Sequence, residues 1–123
     1  MAYEQSLRNI GVPASADLSA SQYCWMKVDG NGNLALPSAG GDADGILQDK
    51  PNALGQQGEL AISGVSKVVV GAGGVTAGDL LQVTAAGAVI TAATTGHKIV
   101  GRALATGAAG VLIPMLIQQK GSV

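Results

Sequence analysis

The chain has 123 residues, 47% of them hydrophobic but none of them phenylalanine, and domains peak near roughly 100–150 residues, so one domain is expected. Its net charge is −1, only 12% of residues are charged, and no run of like charge occurs. That argues against nucleic acid, which asks for a clustered Lys/Arg footprint, and equally against an anionic membrane surface.

The aromatics are Tyr3, Tyr23 and Trp25. Each aromatic buries on the order of 150–250 Å², so a chain this poor in them has a thin core of Val, Leu, Ile and Ala. A body of this size buries only about two thirds of its unfolded surface. An oligomer is therefore expected, with a neighbour covering part of the apolar surface. Cys24 is the single cysteine, which rules out an intrachain disulfide and fits a reducing compartment of synthesis. The first residues lack a basic segment followed by an apolar one, so no signal peptide is expected. No apolar run approaches the ~20 residues of a membrane helix.

In chain order, residues 1–21 mix polar and apolar side chains without a sustained period, around Gly11-Val-Pro13 and a Ser/Ala-rich tail. They read as an extended arm, mobile in isolation, with an edge strand with frayed ends as the plainer alternative. The body, residues 22–123, opens on a strand over residues 22–28, with Tyr23, Trp25 and Lys27 facing one way and Cys24, Met26 and Val28 the other. Asp29-Gly-Asn-Gly-Asn33 then signals a hairpin into residues 34–36. Loops over residues 37–44 and 50–58 flank a short strand at residues 45–48. Residues 59–62 and 65–70 are expected to pair across Ser63-Gly64, and four further short apolar runs follow between residues 76 and 117, cut by Gly and Thr. No segment shows a clean 3.6-residue period. The fold class is all-β.

Chemistry is sparse. Asp29-x-Asn31-x-Asn33 imitates a calcium loop but has Leu34 and Gly40 where glycine and glutamate belong, so a turn is the better reading. Asp42 and Asp44 lack a third ligand at calcium-loop spacing. The glycines at 71, 73 and 74 imitate a dinucleotide fingerprint, but Thr76 stands at the third glycine position and no helix follows. His97 lies in a turn before a strand, where an exposed, unpartnered histidine is usual. Cys24 reads as a small buried hydrophobe, and Asp79 as the cap of a turn. No catalytic residue, metal ligand or cofactor is assigned.

Thr76-Ala-Gly-Asp79-Leu, Gly87-Ala-Val, Gly96-His-Lys-Ile-Val-Gly101-Arg-Ala-Leu104 and Gly110-Val-Leu-Ile-Pro-Met-Leu116 form an ordered series that resembles tailed-phage head decoration proteins, also called capsid cement proteins. The resemblance covers residues 59–117 and, more loosely, 22–58. It departs from the family pattern in the long N-terminal arm and the loops of residues 37–58. It implies a small β-clip or β-tulip-like body, similar in style to the lambda head-stabilising protein. It also implies attachment to the outside of the mature capsid, with the major capsid protein as partner and often as homotrimers made in the host cytoplasm. On that footing Ala2, Tyr3, Glu4, Gln5, Leu7, Ile10 and Val12 of the arm are the candidate capsid contacts, adding a strand to a coat-protein sheet edge. Trp25, Val111, Ile113, Met115 and Ile117 are the candidate oligomer contacts.

The rival reading is a surface-displayed carbohydrate- or host-binding β module, for which only Tyr23 and Trp25 in the body could serve as platforms. A small β-clip enzyme or chaperone module is a third, weakened by the missing acid/base partners.

Overall fold

The computed structural model describes residues 2–123, and among them there is no helix. Nine strands build one curled antiparallel half-barrel. They are β1 (Gln5–Pro13), β2 (Trp25–Val28), β3 (Leu34–Ala35), β4 (Gly45–Leu47), β5 (Gln57–Val69), β6 (Leu80–Val83), β7 (Val89–Thr91), β8 (Gly101–Ala103) and β9 (Leu112–Ile117).

The long strand β5 is the spine. Ala61 pairs with both Asn9 of β1 and Ile46 of β4, and Val65 pairs with both Gln5 of β1 and Leu116 of β9. Each residue of a strand has one neighbour per edge, so β1 runs along one edge of β5 while β4 and β9 share the other, end to end. One branch continues from β4 to β2 and β3, the second from β9 through β8 and β6 to β7. The branches meet again where Trp25 N–H donates to Gly87 O at 2.7 Å and Gly40 N–H to Val83 O at 2.8 Å.

Two apolar clusters lie on opposite faces of the first branch, as the two-residue alternation of strands dictates. Trp25, Ile46 and Val68 join Leu81, Val83, Val89, Val100, Ile113 and Met115 in the first. Cys24, Met26, Leu47 and Leu60 join Val12, Ala14, Leu18 and Leu34 in the second. Strands β2 and β4 are thus covered on both faces.

The Asp29 hairpin forms as expected, with Val28 opposite Leu34 and Asp29 Oδ1 accepting from Asn31 N–H (2.9 Å) and Asn33 N–H (3.0 Å). The pairing across Ser63-Gly64 does not. Those residues lie inside the continuous β5, where Gly64 adopts φ +100°. Leu60 and Ile62 pack on the second cluster, whereas Val68 and Val70 pack in the first and Val69 on the second. The glycine therefore shifts the side-chain phase by one residue, as a bulge does. It also turns a corner, because Tyr23, bonded to Leu47 O on the β4 branch, accepts from Val69 N–H at 3.1 Å beyond the bend. A Cβ at Gly64 would collide with the carbonyls of Gln5 and Ser6.

The N-terminal segment is also placed differently from the expected arm. Residues 5–13 pair with β5, and Val12, Ala14 and Leu18 are buried in the second cluster. No boundary between arm and body falls at residue 21. The physical reason is that Val12, Ala14 and Leu18 of this segment complete the cluster on the second face of β2 and β4.

Candidate functional site

A surface, rather than a catalytic constellation, is what the described residues offer. The outward row of the second branch runs in register from Val65 of β5 to Leu116 of β9, Arg102 of β8 and Leu80 of β6, all half-buried. Val69 and Leu112 form a parallel row. Arg102 does not break this face, because its Nη1 donates to Gly78 O at 2.7 Å. The result is a partly exposed, largely apolar row, with Lys67 opposite Pro114 on the same face between the two rows.

That face corrects the expected oligomer contacts. Trp25 and Met115 are fully buried and Ile113 is 2% exposed, so all three belong to the protomer's own core. Ile117 packs partly against that core, and only Val111, at 48% exposed, stands free at the end of β9. Residues 111–117 are apolar in both phases, so the sequence does not reveal which set faces out, and the register is decided by the partner strands. That Leu112 and Leu116 lie on the outward phase is therefore decided by the pairing with β5 and β8.

Among the arm residues, Tyr3, Glu4, Gln5 and Ile10 are exposed and Ala2 and Leu7 are half-buried. Val12 is core and is withdrawn from the contact set. Leu54, in the loop before β5, is exposed as well.

A shallow groove of about 440 Å³ lies beside the β6–β7 end, lined by Gly73, Gly74, Thr76, Thr91, Thr106 and Gly107. Asp79 accepts from Thr76 N–H and from the Thr91 hydroxyl, both residues of the groove lining, at 2.9 Å each. Its carboxylate caps the turn, as expected. Asp44 likewise accepts from Val28 N–H at 2.8 Å. Both carboxylates hold neighbouring strands and turns of the fold, and among the described residues no group of three or more metal-ligating side chains occurs.

Cys24 is buried, and burial pushes its thiol pKa up, the opposite of what an activated nucleophile needs. Tyr23 holds φ +64° with the Lys67 ammonium 5.4 Å from its ring centre. The Trp25 ring is not available as a platform, and its Nε1–H points to Met115 Sδ at 3.4 Å.

His97 differs from the expected free turn residue. It is half-buried, shares a 2.9 Å hydrogen bond between its Nδ1 and Gln82 Nε2, and lies against Gly40, where even a Cβ would collide with the ring. Gln82 is 4% exposed and leaves its amide without this partner if the ring goes. His97→Ala is expected to cost about 1–3 kcal/mol, the range for orphaning a buried polar group. An unchanged urea midpoint would show that the bond contributes nothing in solution.

The described residues form an all-β body with a partly exposed, largely apolar row on one sheet face. No protein-family model matches the chain, and no curated protein matches it. Among solved structures it is similar to the head fiber gp8.5 N base in bacteriophage phi29, with a TM-score of 0.74 at 12% identity over 95% of this chain and 98% of that one. At that identity the likeness establishes the shared fold.

Proposed function

We propose that this chain is a structural protein of a phage head, seated on the outer surface of the shell and bound to the major capsid protein. The observation that carries the reading is the fold shared with a head fiber base over nearly the whole of both chains. In this reading the chain turns over no substrate and needs no cofactor. Its finer form is a cement protein that bridges capsomers as a homotrimer, with Leu80, Leu112 and Leu116 covered by neighbouring copies and exposed N-terminal residues such as Tyr3 and Gln5 touching the shell. Closed cyclic symmetry hides such a face.

The test is to mix purified protein with expanded shells lacking it, sediment them, and image the pellet. Saturable co-sedimentation with density outside the shell is expected. Protein left in the supernatant overturns the reading. The name of the phi29 neighbour favours a second form, in which the body is the base of a projection rather than a clamp. Cement raises the temperature at which shells rupture, whereas a base attaches without changing it.

The trimer has its own prediction. Leu116→Asp places a carboxylate on the outward row without touching the core, and should abolish the trimer mass of the free protein in light scattering. A wild-type protein that is already monomeric removes the trimer from the proposal.

A further inference from the structure

The regular part of β1 has an open outer edge whose backbone groups can be assigned one by one. Ala14 N–H donates to Gln56 O at 2.8 Å, and the register from there is constant, with Val12 opposite Gly58 and Ile10 opposite Leu60. Hydrogen-bonded pairs alternate along an antiparallel ladder, so Val12 and Ile10 turn their backbone toward β5. The other edge of β5 agrees, because Gln48 N–H donates to Glu59 O at 2.8 Å and odd-numbered Glu59 and Ala61 therefore turn to β4. Asn9 and Gly11 consequently aim their backbone groups away from the sheet and are exposed, and β1 pairs along its length with β5 alone. The outer edge is taken only past this stretch, where Ala14 bridges Leu34 of β3 and Ser15 N–H donates to Leu34 O at 2.9 Å. Pro13 stands at a position where its missing N–H costs nothing, as edge prolines do.

We infer that this edge pairs with the same edge of a second copy, antiparallel, about a twofold axis at Ile10. The sequence of the edge selects that occupant and that register. Centred on Ile10, Asn9 exchanges both its backbone groups with Gly11 of the second copy, so every outward donor and acceptor of Asn9 and Gly11 is satisfied. Centred on Gly11, Asn9 would face Pro13, which has no N–H to give. Centred on Asn9, Gly11 would face Leu7, inside the stretch where the β1 register is irregular between Gln5 and Asn9.

The side chains agree with the Ile10 register. Ile10, 41% exposed, meets its own copy at the axis, and Arg8, the single charge on β1, falls opposite Val12 rather than another charge. Natural edges are usually blunted by lysines or inward-pointing charges. Here no charge falls between Asn9 and Val12, while Pro13 and the irregular register before Asn9 bound the open stretch on either side; the contact is isologous, as a twofold interface requires. It uses a different surface from the Leu116 face and stands whether or not the chain sits on a phage head.

The test is cysteine cross-linking of the purified protein. In the inferred register Ile10 forms a non-hydrogen-bonded pair with itself, with Cα atoms about 4.5 Å apart, within disulfide reach. Under mild oxidation Ile10→Cys is expected to form a disulfide dimer at least about tenfold faster than the exposed control Leu54→Cys, because pairing raises the local thiol concentration. Adding Asn9→Pro, which deletes an outward N–H as Pro13 already does, should return the rate to the control. Circular dichroism and melting confirm that each variant is folded; Ile10 and Asn9 are surface residues, and wild-type Cys24 is buried. Equal rates for Ile10→Cys and Leu54→Cys, or a rate indifferent to Asn9→Pro, overturn the inference.

Discussion

Trp25→Ala is expected to remove a large part of the protein's stability and to lower its denaturant midpoint sharply. Removing a buried tryptophan costs about 3–5 kcal/mol even where neighbours relax, and domains of this kind have about 5–15 kcal/mol in total. The aromatic-poor core gives the cavity little chance to refill. Trp25 is fully buried among Ile46, Val68, Val83, Val89 and Met115, which come from both branches of the sheet. Its backbone N–H also closes the half-barrel onto Gly87, where φ is +81° and a Cβ would meet Trp25 O at 2.5 Å. Losing the ring therefore loosens the seam as well as the core. Trp25→Phe keeps most of the volume and gives up the contact with Met115 Sδ, so it should cost far less. The check is denaturant unfolding followed by circular dichroism. If Trp25→Ala unfolds with a midpoint near wild type, the seam is not where the two branches are held.

Deleting residues 2–14 is expected to lower the melting temperature by more than about 10 °C, given the shift of several degrees per kcal/mol in domains of this size. The deletion removes β1 from the edge of β5 along with Val12 and Ala14 from the second cluster. Burial of a valine alone stabilises by about 1.5–3 kcal/mol. Met26, Leu47 and Leu60 would be exposed on the face that these residues cover. An arm that only reaches for a capsid would come off without consequence. A truncated protein with unchanged melting would restore the arm reading and make shell retention the informative assay. If the truncation melts early, loss of shell binding in the same variant says nothing about contact residues, and point changes at Tyr3 and Gln5 must be used instead.

Much of the local structure was legible from the residues. The Asp29-Gly-Asn-Gly-Asn33 turn, the Asp79 cap and the burial of Cys24 each depend on interactions within a few residues or on a strongly apolar neighbourhood, which is information a short window contains. His97 shows the limit. Its partner Gln82 and its contact Gly40 come from elements far apart in the chain, so the turn motif around it suggested an exposed ring. The Ser63-Gly64 pair shows another limit. Glycine with φ > 0 serves a hairpin turn and a bulged corner equally, and which of the two forms depends on whether the flanking segments find each other or find β1, β4 and β9.

The sequence by itself determined an all-β chain of short strands, a core without aromatic bulk beyond Trp25, and a surface of low charge. Those follow from side-chain type and two-residue alternation, which act locally. Only the tertiary structure decided that residues 5–18 are part of the body, that β9 turns Ile113 and Met115 inward and Leu112 and Leu116 outward, and that Asn9 and Gly11 present a free edge. Each of these is a question of register between strands distant in sequence, and where both phases of a strand are apolar, or a segment is half polar throughout, the local pattern is degenerate. A one-residue shift there exchanges core for surface, and only the partner strand selects between them.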